Sequence, residues 1–262
     1  REPELWDPVT GERRALEHYE VSAGRTVLPL EFAPTQSFFV VFRANSGRTR
    51  TPASSDGGNF PRFESVHVLD QAWQVSFDPR WGGPEKPVAF TQLADWTQHE
   101  EPGIRYFSGT ATYRTSFDVP ETELRGSGRR HAIDLGVVKE LARVRLNGRD
   151  LGVVWCAPWR VELPADLLRP SGNELEIEVT NVWANRLIGD EQEPADAEWG
   201  RGHFGFGGPL KKFPDWFLKG APRPASGRFT FTTWNYFTKD SALSPSGLLG
   251  PVTLQKTDVA AP

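Results

Sequence analysis

Glu174, Glu176 and Glu178 stand at alternate positions, a spacing that would set three carboxylates side by side for acid–base work or for holding a metal. The same alternation puts Leu175, Ile177 and Val179 on the opposite side. The glutamates therefore read as the solvated face of a half-buried strand. Asp190, Glu191 and Glu193 form a second acidic group able to offer oxygens to a structural Ca²⁺. A solvated acidic loop is the competing reading, and no cofactor is assigned. Cys156 is the single cysteine, so no disulfide forms within the chain; a thiolate nucleophile there would need a base close by in space. Its alternation with Val154 fits a buried strand residue better. His18, His67, His99, His131 and His203 are scattered, with none at the short spacing of a zinc motif.

The elements that would position these groups are strands. Ten tryptophans and 17 phenylalanines, with 25 glycines and 22 prolines, describe short aromatic-rich strands joined by tight turns. Residues 73–77, 110–117 and 132–136 alternate apolar and polar types, as half-buried strands do. Asn147-Gly148, between residues 144–146 and 151–155, supplies the positive φ angles of a two-residue hairpin turn. Residues 163–168 resemble a short helical turn, and 229–234 and 250–254 look strand-like. Residues 37–42 form a continuous apolar run that reads as a buried strand, whereas 27–32 are interrupted by Pro29 and make at best an edge strand.

Along the chain, residues 1–43 carry too few strands for a sandwich of their own and are expected to end a β-domain begun upstream. Residues 44–65 read as a linker or exposed loop, 66–256 as the main β-sandwich, and 257–262 as a polar tail. Met is absent even at position 1, so the natural start is expected elsewhere. A net charge of −4 gives no general attraction for nucleic acid. No apolar stretch approaches the roughly 20 residues of a membrane-spanning helix. The irregular, aromatic-rich residues 189–226 are too long for a plain connection and are expected to carry function.

Three stretches, 106–113, 134–148 and 172–181, resemble in their order the sugar-binding β-sandwich of glycoside hydrolase family 2, a galactose-binding-like jelly roll. A closer resemblance rests on Asn181-Val182-Trp183-Ala184-Asn185-Arg186-Leu187-Ile188-Gly189-Asp190, on Ser246-Gly247-Leu248-Leu249-Gly250-Pro251-Val252 and on Leu5-Trp6-Asp7-Pro8-Val9-Thr10-Gly11. Together they look like the C-terminal part of glycoside hydrolase family 106, the α-L-rhamnosidase type. The resemblance covers nearly the whole chain. It implies an all-β fold, an extracytoplasmic location, and a catalytic barrel upstream in the same polypeptide that hydrolyses terminal α-L-rhamnose with two glutamates.

Such a barrel would need roughly 250 residues of alternating strand and helix, a pattern this sequence lacks. Glycoside hydrolysis calls for two carboxylates about 5–10 Å apart. Asp78, Asp95, Glu100, Glu101, Glu140, Asp190, Glu191 and Glu193 are available, but spacing brings no two of them together, and no catalytic residue is assigned. The reading that follows is a non-catalytic accessory region in contact with a rhamnose-containing glycan. Its candidate residues are Trp183, Asn185, Arg186 and Asp190, with Trp199, Trp216 and Trp234 as stacking platforms. Arg186 offers a planar fork of donors to sugar hydroxyls or a uronate; the competing role for Asn185 and Arg186 is to hold a loop. Two alternatives stay open: a self-sufficient glycosidase, and a protein- or surface-interaction module that would expose an apolar patch around residues 204–217.

Overall fold

A computed structural model describes residues 1–44, 58–124, 129–202 and 207–257. Strands β1 (Glu2–Trp6), β2 (Arg13–Ala15), β3 (Glu20–Ser22), β4 (Arg25–Val27) and β5 (Phe39–Arg43) occupy the N-terminal segment. The order β2-β1-β5 makes a three-stranded antiparallel sheet, and β3-β4 is a separate hairpin that stops short of Pro29. The expectation that residues 37–42 form a buried strand is corrected here. Phe39 is 62% exposed and Phe42 42%, because β5 lies at the sheet edge and the described residues lay no second apolar layer over it. Asn59, itself buried, accepts from the His18 N–H (3.0 Å) and donates to the carbonyls of His18 and Pro29 (2.7 and 3.2 Å). It thereby fastens the segment that follows to the N-terminal strands. Residues 45–57 of the expected linker, and 258–262 of the tail, lie outside the described residues.

The remaining strands are β6 (Glu64–Val68), β7 (Trp73–Ser76), β8 (Val88–Phe90), β9 (Thr110–Phe117), β10 (Arg130–Asp134), β11 (Val137–Lys139) and β12 (Leu141–Leu146). They continue with β13 (Arg149–Val154), β14 (Arg160–Leu163), β15 (Asn173–Thr180), β16 (Gly247–Gly250) and β17 (Thr253–Thr257). Two antiparallel sheets dominate: six strands in the order β13-β12-β15-β9-β7-β8, and four in the order β14-β10-β17-β6. Val75, Tyr113, Val144 and Ile177 from the larger sheet join Ile133, Val161 and Leu254 from the smaller in one buried cluster, which makes the fold an all-β sandwich. The Tyr113 hydroxyl, deep in that cluster, accepts from the Trp96 indole and from the Leu248 N–H (3.2 Å). It ties β9 to β16.

Local sequence explains the joints. Asn147 (φ 52°) and Gly148 (φ 79°) both take the left-handed conformation that a two-residue hairpin between β12 and β13 requires. At Gly136 (φ 67°) a Cβ would stand 2.4 Å from the Gly250 carbonyl, so the crossing of β10–β11 with β16 admits no side chain. On the outer face of the large sheet, Glu176 pairs with Arg114 (2.8 Å) and Arg145 (2.6 Å), and Glu178 with Arg145 (3.0 Å). The alternating glutamates are thus part of a cross-strand charge ladder on a half-exposed surface.

Two further expectations are corrected. Cys156 is partly exposed in a bend between β13 and β14, because the ladder ends at Val154 and Pro158 has no N–H with which to resume it. The short turn expected within residues 163–168 is present, closed by the Leu167 N–H on the Pro164 carbonyl (3.1 Å). Residues 229–234 are not a strand, since the N–H groups of Phe229 and Thr230 turn inward to the Asp190 carboxylate (3.1 and 2.7 Å) instead of to a neighbouring strand.

Candidate functional site

The chain leaves β15 through Asn181, whose side chain accepts from the Gly109 N–H (2.9 Å) and donates to the Phe107 carbonyl and the Ser246 hydroxyl, each at 2.9 Å. Trp183 then occupies the N-cap position of the helix Ala184–Asp190 without a side-chain capping bond and is left 48% exposed. Behind it, fully buried Asn185 donates to the Ser244 carbonyl (2.8 Å) and accepts from the Ser244 N–H (2.8 Å), pinning the helix to the run into β16. Arg186 and Asp190 are buried one helical turn apart and joined at 3.0 Å. Burial lowers the proton affinity of Arg186, and the Asp190 charge opposes that shift, so the guanidinium stays charged.

Asp190 is the hub. One oxygen takes Arg186 Nε, and the other takes the N–H groups of Phe229 and Thr230 together with the Thr230 hydroxyl (2.5 Å). Arg186 lies 4.9 Å from the centre of the Phe229 ring, a cation–π contact that fixes the ring. Gly82 (φ 81°) completes the seat: a Cβ there would fall 2.8 Å from Phe229 and 3.0 Å from Arg186 Nη1. One turn of helix thus holds a segment about 40 residues away in sequence.

The result is a groove of about 360 Å³. Trp81 and Trp183 form one wall, edge to face at 4.9 Å, and Phe229 and Phe231 line the groove with them over Leu187. Thr230 and Thr232 supply its hydroxyls, and no charged side chain lines it among the described residues. A narrower cleft of about 20 Å³ adjoins, lined by Trp199, Trp234 and Tyr236 among others, with Leu187, Thr230, Phe231 and Thr232 common to both. Its charges are paired: Arg223 with Asp196 (2.6 Å) and Arg228 with Glu191 (2.9 Å).

Of the residues expected from sequence, Trp183 lies in the groove and Trp199 and Trp234 in the adjoining cleft. Asn185 and Arg186 face inward, and Asp190, though at the edge of the cleft, is saturated with internal donors. Trp216 belongs to a neighbouring ring stack with Phe213, Phe217 and Phe231. Phe213 and Phe217 are exposed, while residues 204–206 of the expected apolar patch lie outside the described residues. Asp190, Glu191 and Glu193 do not assemble as ligands, and no trio of His, Cys, Asp or Glu among the described residues could hold a metal. Asp78 and Asp95 serve as caps of short turns, and no carboxylate lines the larger groove. Sequence reasoning missed Trp81, Phe229 and Phe231. The only signals were a Trp followed by two glycines and a Phe-Thr-Phe-Thr alternation that reads as strand.

No family model matches the chain. The chain resembles the solved structure of a rhamnosidase from Novosphingobium sp. PP1Y with a TM-score of 0.74 and 36% identity, over 97% of this chain and 20% of that one. It is also 41% identical over 187 residues to a Formosa agariphila protein named "Putative beta-glucuronidase", covering 71% of this chain and 15% of that protein. The chain therefore corresponds to about a fifth or less of each of these glycoside hydrolase relatives.

Proposed function

We propose that this chain is the non-catalytic, C-terminal accessory β-sandwich of a larger glycoside hydrolase of the α-L-rhamnosidase type, family 106. In that reading the sandwich is galactose-binding-like. Residues 1–43 close an upstream β-domain, 44–65 connect, 66–256 form the sandwich proper, and the whole polypeptide works outside the cytoplasm. The observation that carries it is the match to a rhamnosidase along almost the entire chain but only a fifth of that enzyme.

The chemistry of the acids supports the accessory role. Hydrolysis needs one carboxylic acid free to protonate a leaving group and a second free to act as nucleophile or base. The acids of the adjoining cleft meet neither condition: Asp190, Glu191 and Asp196 each sit against an arginine. The test is turnover of an aryl α-L-rhamnoside by the purified chain beside the full polypeptide. No turnover by the chain and clear turnover by the parent is the expected result; hydrolysis by the chain alone would overturn the proposal.

A further inference from the structure

We infer that the groove lined by Trp81, Trp183, Phe229 and Phe231 is a binding site for a neutral pyranose, a 6-deoxyhexose before a uronic acid. The inference takes the glycan class from the reading above, but the choice between neutral and acidic sugar comes from the groove itself. A pyranose has one face of C–H groups and a rim of hydroxyls. It is recognised by a flat aromatic surface together with a few polar groups, which is what the groove offers in an open volume of about 360 Å³. The edge-to-face contact of Trp81 and Trp183 sets their ring planes at 82°, so the two indoles make a corner against which a ring and its substituent can both rest. Trp183 and Phe229 are 48% and 40% exposed, leaving apolar surface that a ligand would take out of water.

The aromatic walls are held before any ligand arrives. Trp81 ends the short 3-10 turn Pro79–Trp81, which Asp78 caps by accepting from the Arg80 N–H (2.9 Å). Trp183 rides on the helix anchored by Asn185, and Phe229 is held by the Arg186 guanidinium and by its own N–H on Asp190. Walls fixed in this way lose little freedom on binding, which matters for a small ligand that gains little from each contact.

Charge decides the ligand class. A uronate carboxylate would call for a cationic fork, and Arg186 is the arginine nearest to this role. It is 5% exposed, sits against Phe229, gives its Nε to Asp190 and is not among the residues that line the groove. The polar groups lining the groove are the neutral hydroxyls of Thr232 and of Thr230, the latter already donating to Asp190 and left as an acceptor. A methyl substituent in place of an acid group suits the Leu187 and Phe231 surfaces.

The experiment is a titration of the purified chain with methyl α-L-rhamnoside and, in parallel, with D-glucuronate, following the indole N–H resonances of Trp81 and Trp183 by NMR. Saturable shifts of both indoles with the rhamnoside, at least about tenfold weaker with glucuronate, are expected. Trp183→Ala should abolish the rhamnoside response and Phe39→Ala, on the exposed edge strand β5, should leave it intact. The NMR titration of the unaltered chain decides the matter even where Trp183→Ala unfolds. Absence of saturable shifts, shifts confined to other residues, or equal binding of glucuronate would each overturn the inference. A groove filled instead by a protein segment of the parent would appear as the first of these. Turnover assays of the isolated chain are independent of this outcome, so failure of the sugar site leaves the accessory role standing.

Discussion

Replacing Asp190 with Ala removes the acceptor of four hydrogen bonds and the counter-ion of Arg186 in one step. Both side chains of the pair are almost wholly buried, at 7% and 2% exposure, so solvation by bulk water replaces little of the vacated role. An uncompensated buried charge costs about 3–5 kcal/mol. At about 2–4 °C per kcal/mol for a domain of this size, the melting temperature should fall by on the order of 10 °C. Differential scanning calorimetry gives that figure, and hydrogen exchange at the Phe229 and Thr230 amides locates it. Both amides should lose protection well before those of β9. The double variant Arg186→Met with Asp190→Leu, which removes the charges together, should recover a large part of the loss, because desolvation of the pair then no longer opposes folding. A loss below about 1 kcal/mol for Asp190→Ala, or unchanged exchange at Phe229 and Thr230, would refute the claim that this carboxylate holds the groove together.

Gly82→Ala forces φ 81° on a residue with a Cβ and drives that atom into Phe229; a loss of about 1–3 kcal/mol in urea unfolding together with a displaced Phe229 ring resonance is expected. Glu176→Gln, by contrast, disturbs only a half-exposed ladder and should cost no more than about 1 kcal/mol by the same assay, despite its two arginine partners. His131 is buried, and burial, which penalises the imidazolium, holds its pKa below the ordinary 6.5. Folding is therefore favoured above pH 6.5, and this contribution is lost as the pH falls from 6.5 through the depressed native value. The urea midpoint should decline across that interval, and His131→Gln should flatten the decline.

What could be read in the sequence depended on whether the cause was local. β9 and the Asn147-Gly148 hairpin follow from period-two alternation and from backbone angles that two residues dictate. The glutamates of β15 were legible for the same reason, since alternation alone assigns a face. β5 has the composition of a buried strand but a place at the sheet edge, and no window of its own sequence encodes what covers it. The groove was hidden for a similar reason. Trp81 and Trp183 meet across about 100 positions, and Phe229 reaches them because Asp190 captures its amide. Residues 229–234 carry a strand-like pattern, yet a carboxylate from a distant helix takes the hydrogen bonds that a strand would need.

That capture also explains why candidate ligand residues and candidate structural residues separate as they do. A buried arginine–carboxylate pair is tolerable only when its remaining hydrogen-bonding capacity is used, and here the backbone of the 229–230 segment uses it. The ionic groups of the helix Ala184–Asp190 therefore point inward, and the aromatic rings they position point outward. A site that kept its charges for chemistry would show the reverse, with carboxylates facing the open groove and apolar rings behind them to raise a pKa. The inward latch thus spends its charges on holding the aromatic segment and leaves the larger groove lined by rings and hydroxyls.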